Sequence, residues 1–420
     1  MTTPSPQLCT LGAADMGILR KDDASMKDWV YEVLEEAEKR RYVPYQHRII
    51  QEFRDLIEQE DDVLEGFTQM FDELSDPGPV DDYEKMLAVF DVIIGQAPIF
   101  RNLSQVAFPI CAVLAGPMGT RAGFRMFSDA RVNAVIKKML DTWFQFLSSP
   151  RSRYVLSDGP TGWFGPAAVA AMPNFAQTFV CDPMAPYYGF KSWEDFFIRR
   201  FRPGIRPIDS PTDDTIINSA CEATPFRIEY SVSETHRFLL KGYPYSILRM
   251  LNNDELAPHF VGGTVYQGFL HQFFYHRWHS PVNGRVVKTV IVPGAYYLYI
   301  PCSEGEEIPP DGVPVLDDRA ITGSQDFLAQ VATRCLIFIE ADNPAIGLMC
   351  FMGIGMEEVS TCQPTVVPGQ RVRKGDEIGM FHFGGSTHCL VFRKDTPVSF
   401  FCGSSLGQRI PVNAAIGRVG

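Results

Sequence analysis

The first half of the chain has apolar residues at helical spacing. They recur every three or four positions over residues 25–37, where Ser25 is a residue type that caps helices. The same spacing occurs over residues 50–74 and again from Ser128 over residues 128–147. We therefore predict a mainly helical domain over residues 21–180, after a flexible tail of residues 1–20.

The second half has a different pattern. Short β-branched or apolar runs alternate with Gly, Pro, Asn and Asp, as in residues 284–293, 335–339 and 346–353. Such runs are typical of strands joined by tight turns. The sequence thus predicts an α+β protein, in which the helical domain is followed by a β-rich domain over residues 185–420.

Composition narrows the possible partners. The formal net charge is −12, which argues against nucleic acid and against an anionic membrane surface. No apolar stretch is long enough to span a bilayer, and the first 21 residues do not resemble a signal peptide, so we expect a soluble, cytoplasmic protein. The ten cysteines lack zinc or redox spacing, so we expect free thiols and no metal site.

Two segments combine polar residues with apolar surroundings. The first contains His276, Arg277 and His279 ahead of Pro281. In a straight strand the two histidines would point to opposite faces, unless the chain bends before the proline. One histidine alone would more often be a satisfied core or surface group. Two histidines and an arginine within four positions favour a functional site.

The second segment covers residues 381–387 and contains Ser386 after two glycines and before Thr387. A glycine turn would explain the pattern equally well. Gly-Ser also occurs at Ser324 and Ser404, but only Ser386 combines two preceding glycines with an apolar strand on its N-terminal side. Ser386 is therefore the candidate reactive hydroxyl.

These two segments, together with residues 192–201 and the Arg206-Pro207 dipeptide, occur in an order that resembles the phosphatidylserine decarboxylase family over roughly residues 185–400. The resemblance implies that Ser386 attacks the carbonyl of Gly385 and that the chain splits there. The products would be a β chain of residues 1–385 and an α chain of residues 386–420. Ser386 would become a covalent pyruvoyl group, which replaces pyridoxal phosphate as the cofactor.

The same resemblance assigns roles to other side chains. His279 would be the base that activates Ser386, and His276 would protonate the carbanion left by CO2 or assist ionisation of the substrate. The family usually has an aspartate followed by glycine to orient the base, whereas this chain has Glu222 followed by Ala223. Glu222 is thus the predicted orienting group, with a solvated carboxylate at a strand edge as the alternative.

The substrate is predicted from charge and resemblance together. An acidic chain without a membrane anchor fits a small amino acid, which would form a Schiff base with the pyruvoyl group. Likeness to a soluble subgroup implies an aromatic L-amino acid, with L-tryptophan first and an aromatic amine as product. Five aromatic residues near the motifs could line the pocket or simply pack the core: Phe273, Phe274, Trp278, Phe381 and Phe383.

Two alternatives remain open at this point. One is a phosphatidylserine decarboxylase that makes phosphatidylethanolamine, and the other is a scaffold protein that does not cleave itself. The sequence does not define the oligomeric state or the residues that bind substrate.

Overall fold

The computed structural model describes residues 7–8, 24–40, 44–100, 109–234, 246–270, 273–299, 324, 327–358, 361–401 and 408–420. The predicted flexible tail lies outside these residues, except for the backbone of Gln7–Leu8. The first half contains helices α1 (Ala24–Glu38), α2 (Arg48–Gln59), α3 (Asp61–Asp72), α4 (Tyr83–Ile93), α5 (Pro109–Leu114), α6 (Arg121–Ser128), α7 (Ala130–Leu147), α8 (Pro166–Ala171), α9 (Phe175–Thr178) and α10 (Trp193–Phe197). A further short helix, α11 (Ile247–Met250), lies in the second half.

The helix ends differ from the sequence prediction in three places. Helix α1 begins at Ala24, so Ser25 lies inside its first turn instead of capping it. The stretch over residues 50–74 is two helices, because Glu60 has an extended backbone with φ −115° and ψ 104°. Helix α7 is capped by the side chain of Asp129, which accepts hydrogen bonds from two backbone N–H groups.

The second half is built from strands, as predicted. They are β1 (Gln7–Leu8), β2 (Ile216–Asn218), β3 (Thr224–Glu229), β4 (Thr264–Leu270), β5 (Arg277–His279), β6 (Gly284–Val292), β7 (Arg334–Ala341), β8 (Leu348–Met356), β9 (Cys362–Pro364), β10 (Arg371–Val372), β11 (Glu377–Phe381), β12 (Gly385–Phe392), β13 (Val398–Phe400) and β14 (Ala415–Val419). Eight of them form an antiparallel sheet in the order β1-β3-β4-β12-β8-β7-β6-β10. Two three-stranded sheets have the orders β5-β11-β9 and β13-β14-β2.

The large sheet is buried on both faces. Along β8, Cys350 and Met352 belong to a core cluster shared with the helices, whereas Met349 and Phe351 belong to a second cluster shared with the small sheets. This alternation explains why β8 and β12 have near-continuous apolar sequences. The predicted α+β organisation, helical first and β-rich second, is confirmed.

Within the described part of the chain, no helix has both the length and the apolarity needed to cross a membrane.

Candidate active site

Ser386 is the second residue of β12, a central strand of the large sheet. It lies opposite Leu270 of β4 and Gly355 of β8, and it is fully buried. Leu390 and Phe392 of the same strand face the small sheets, so the side chain of Ser386 faces that side too. Its Oγ has no hydrogen-bond partner among the described residues. A buried hydroxyl without a partner is unusual enough to suggest a chemical role.

The two glycines before Ser386 set the backbone at the start of β12. Gly384 has φ 138°, a conformation that residues with a Cβ rarely adopt. Gly385 lies opposite Met356 of β8 and has no side chain beside its own carbonyl. A side chain at position 384 would therefore be strained, which explains the glycine there.

His279 ends β5 and has both ring nitrogens engaged. Nδ1 lies 2.7 Å from the carbonyl oxygen of Gly375, which can only accept, so Nδ1 carries the proton. Nε2 therefore accepts a hydrogen bond from the hydroxyl of Tyr275, at 2.9 Å. Burial lowers the pKa of His279, which keeps the imidazole neutral and able to take up a proton.

Glu222 has a different partner from the one predicted. Its carboxylate accepts two hydrogen bonds from Arg206, at 2.6 and 2.9 Å, and one from the backbone N–H of Val412 at 3.0 Å. The carboxylate is 2% exposed, so it is not the solvated alternative either. The carbonyl of Gly375, and not Glu222, orients the imidazole of His279. A charged guanidinium nearby outcompetes a neutral imidazole for a buried carboxylate.

His276 precedes β5 and is separated from His279 by its packing. Its ring stacks on Phe197 at a centroid distance of 4.1 Å, and Phe197 in turn contacts Phe383, three residues before Ser386. The backbone carbonyl of His276 accepts a hydrogen bond from the N–H of Phe381. His276 is thus fully buried beside the segment that leads to Ser386.

The segments that carry the sequence motifs meet in space. Arg277 donates to the carbonyl of Ile198 at 2.7 Å, which joins the histidine segment to residues 192–201. His382, which sequence reasoning did not select, joins the serine segment to the same region through a 2.7 Å contact with Glu194. The arrangement supports reading the three motifs as parts of one site.

The five aromatic residues do not line one pocket. Trp278 and Phe381 pack in the cluster beneath the small sheet, while Phe383 packs against Trp143 in the cluster shared with the helices. Phe273 contacts Trp163 and lines one small cavity together with Phe383, whereas Phe274 lies under Arg409. Core packing accounts for most of these side chains.

Sequence reasoning also missed His388, two residues after Ser386 on the same face of β12. Its Nδ1 lies 3.0 Å from the carbonyl of Gly268, and its Nε2 has no partner among the described residues. Burial lowers the pKa of His388 to about 4, so the ring is neutral. A Cβ at Gly268 would lie 2.7 Å from this ring, which explains the glycine there.

A second missed feature is a pair of buried acids, Glu357 and Glu358, directly after β8. They are 6% and 3% exposed, and Glu357 has a left-handed backbone with φ 54°. Acidic residues at a strand end are ordinarily solvated, so no sequence signal other than the apolar run before them indicates burial. They add carboxyl groups to the neighbourhood of Gly385.

Known proteins resemble this chain over between about half and nine-tenths of its length. It is 40% identical to an L-tryptophan decarboxylase of Psilocybe cubensis over 91% of this chain and 89% of that protein. It is 43% identical to Decarboxylase iboD of Amanita muscaria over 74% of this chain and 91% of that protein. Phosphatidylserine decarboxylase proenzyme 2 of Oryza sativa is 29% identical over 55% of this chain and 34% of its own length.

Two models of phosphatidylserine decarboxylase sequences also match, one over residues 47–172 and the other over residues 193–418. The second covers the β-rich half, including His276, His279 and Ser386. The resemblance seen in the motifs is thus confirmed over more than half of the chain. The chain belongs to the phosphatidylserine decarboxylase family and is a carboxy-lyase.

Proposed function

We propose that this protein is a self-processing, pyruvoyl-dependent decarboxylase that converts an aromatic L-amino acid, first of all L-tryptophan, to its amine and CO2. The observation that carries the proposal is the buried hydroxyl of Ser386, without a partner among the described residues and directly after Gly384 and Gly385. The tryptophan assignment is supported by the extent of the likeness to the Psilocybe enzyme, which exceeds that to the rice phosphatidylserine decarboxylase.

The residues present fit a pyruvoyl group at position 386. The hydroxyl that would form it is buried and has no hydrogen-bond partner in the described part of the chain, and the glycine before it has no Cβ to shield the carbonyl that is attacked. Such a group supplies an electron-withdrawing carbonyl that takes up the electron pair released as CO2 leaves. No pyridoxal phosphate is needed for that chemistry.

In this proposal His279 accepts the proton of Ser386 during processing. Its neutral ring offers a lone pair at Nε2, which the hydroxyl of Tyr275 now occupies. The Gly375 carbonyl fixes the tautomer that leaves Nε2 basic. We infer that the Tyr275 hydroxyl moves aside or passes the proton on. His276 remains our candidate for proton transfer to the substrate, since it lies beside the segment that precedes Ser386.

The two fragments would stay together after cleavage. The α chain, residues 386–420, keeps β12 between β4 and β8 in the large sheet and β14 paired with β2. Glu222 of the β chain also holds the backbone N–H of Val412 in the α chain. These contacts explain how a chain cut inside a central sheet can remain folded.

The first experiment compares the intact mass of the wild-type protein with that of Ser386→Ala, then assays CO2 release without added cofactor. We expect two fragments that separate at Gly385 in the wild type only, a blocked α-chain N-terminus, and turnover of L-tryptophan. L-Phenylalanine, L-tyrosine and phosphatidylserine vesicles are assayed in parallel. A single uncleaved chain would support the scaffold alternative, whereas release of CO2 from the vesicles alone would make the protein a lipid decarboxylase.

A further inference from the structure

The buried acids Glu357 and Glu358 lie next to the bond that is proposed to break. Strand β8 ends at Met356, which is the register partner of Gly385, and Glu357 follows directly. Partners on neighbouring antiparallel strands have Cα atoms about 5 Å apart. Glu357 is therefore the residue directly after the partner of Gly385, close to the bond between Gly385 and Ser386. The register between β8 and β12 sets this position.

One oxygen of each acid is held by the protein. Oε1 of Glu357 accepts a hydrogen bond from the Tyr299 hydroxyl at 2.8 Å. Oε1 of Glu358 accepts from the backbone N–H groups of Ile110 and Cys111, at 2.7 and 3.1 Å. These contacts fix both carboxyl groups in place.

The other oxygen of each acid is uncommitted. Oε2 of Glu357 and Oε2 of Glu358 have no hydrogen-bond partner among the described residues, and neither has the hydroxyl of Tyr297, which is 2% exposed. Burial raises the pKa of Tyr297, and the nearby charges of Glu358 and Glu357 raise it further. Within the described part of the chain, three buried polar atoms from two different segments thus lack partners in one place, which is the pattern of a site that accepts a polar ligand.

The charge of this cluster suits a ligand that brings a proton. Among the described residues, the neighbours that shift the pKa values of the two acids are Tyr299, Cys111 and the backbone of Ile110, and no lysine, arginine or histidine contributes. Burial raises the pKa of Glu357 to about 7 and raises that of Glu358 well above its usual range. Glu357 can therefore both accept and release a proton near neutrality, with Glu358 as its protonated neighbour.

An amino-acid decarboxylase of the proposed kind needs such a group. The substrate arrives with a protonated α-ammonium group, which has no lone pair to react with a carbonyl. We propose, resting on the proposed function, that Glu357 binds the α-ammonium group of the substrate and removes one of its protons. The N–H bond breaks with its electron pair left on nitrogen, and an O–H bond forms at Oε2 of Glu357.

The test compares Glu357→Gln with the wild type and with Glu340→Gln, an exposed glutamate on β7. We expect normal cleavage in all three proteins and normal reaction with phenylhydrazine, whose reactive nitrogen is already unprotonated. For Glu357→Gln, kcat/KM with L-tryptophan should fall about 100-fold at neutral pH. The loss should shrink at alkaline pH, where the substrate loses its proton to water.

A second variant keeps the inference testable if Glu357→Gln folds poorly. Tyr299→Phe removes the hydrogen bond that lowers the pKa of Glu357, so the acid limb of the kcat/KM profile should move to higher pH. An unchanged profile in both variants, or parallel loss of phenylhydrazine reactivity and turnover, would overturn the role of Glu357 alone. A wild type that does not cleave or release CO2 would overturn the proposed function instead.

Discussion

Two buried acidic regions of this molecule have the same kind of side chain and opposite surroundings. Glu222 is 2% exposed and receives two hydrogen bonds from Arg206 and one from Val412. Glu357 and Glu358 are buried to a similar degree, but no cation faces them among the described residues. The first region is a satisfied ion pair, and the second is an unsatisfied acid pair.

The difference separates a structural role from a chemical one. A carboxylate whose acceptor sites are filled by a guanidinium and a backbone N–H has little capacity left to bind a substrate. Buried acids without a cation nearby have raised pKa values, so they can exchange protons near neutral pH. Burying them also lowers the stability of the fold. Family resemblance selected Glu222 to orient His279, whereas the structure pairs it with Arg206, and our proposal gives substrate chemistry to the acid pair.

The largest expected effect comes from breaking the ion pair. Glu222→Gln leaves Arg206 half-buried without a charged partner, so we expect a loss of about 3 kcal/mol in the free energy of unfolding. Urea unfolding in the uncleaved Ser386→Ala background measures this loss on one covalent chain. The matched control is Glu229→Gln, which breaks a pair with Arg227 whose carboxylate is 21% exposed and should lose less than about 1 kcal/mol. Equal losses would show that burial of the Glu222 pair does not matter.

Mutation of the acid pair should raise the free energy of unfolding, whereas mutation of Glu222 should lower it. In the folded chain burial raises the pKa of Glu357 from 4.5 to about 7, so the unfolded chain releases its proton first as the pH rises. Stability contributed by the protonated acid is therefore present below pH 4.5 and is lost between pH 4.5 and about 7. Glu357→Gln should remove this loss.

The measurement for this second prediction is the free energy of unfolding against pH, again in the Ser386→Ala background. We expect Glu357→Gln to be more stable than its parent by about 3 kcal/mol at neutral pH, since the pKa of Glu357 rises from 4.5 to about 7 and one pKa unit corresponds to about 1.4 kcal/mol. The difference should vanish below pH 4.5. Glu340→Gln, at the exposed position near the end of β7, is the control and should be as stable as the parent at every pH. A destabilised Glu357→Gln at neutral pH would mean that the carboxylate is the favoured form.

The sequence predicts much of this framework, because the signals are local. Periodicity found α1 and α7, and turn residues found the strands β6, β7 and β8. It did not find the break at Glu60, since the apolar positions of α2 and α3 stay in phase across it. Asp61 and Asp62, which suit a new helix N-terminus, were the available signal.

The site was harder to predict, because its contacts join distant segments. Ser386, His276 and His279 follow from motifs, but the partner of Glu222 depends on how Arg206 folds back over the β-rich half. The acid pair depends on Ile110 and Cys111 in the helical half, far away in sequence. No local pattern distinguishes a buried Glu-Glu from a solvated one.

The smallest expected effect concerns Glu358, whose two carboxylate oxygens have different surroundings. Its Oε1 accepts from the first N–H groups of α5, and its Oε2 has no partner among the described residues. Glu358→Gln keeps an acceptor for those N–H groups, whereas Glu358→Ala leaves them unsatisfied. We expect the alanine variant to be less stable than the glutamine variant by about 1 kcal/mol, in thermal unfolding of the Ser386→Ala chain. Equal unfolding midpoints for the two variants would mean that the hydrogen bonds from Glu358 to α5 do not stabilise the fold.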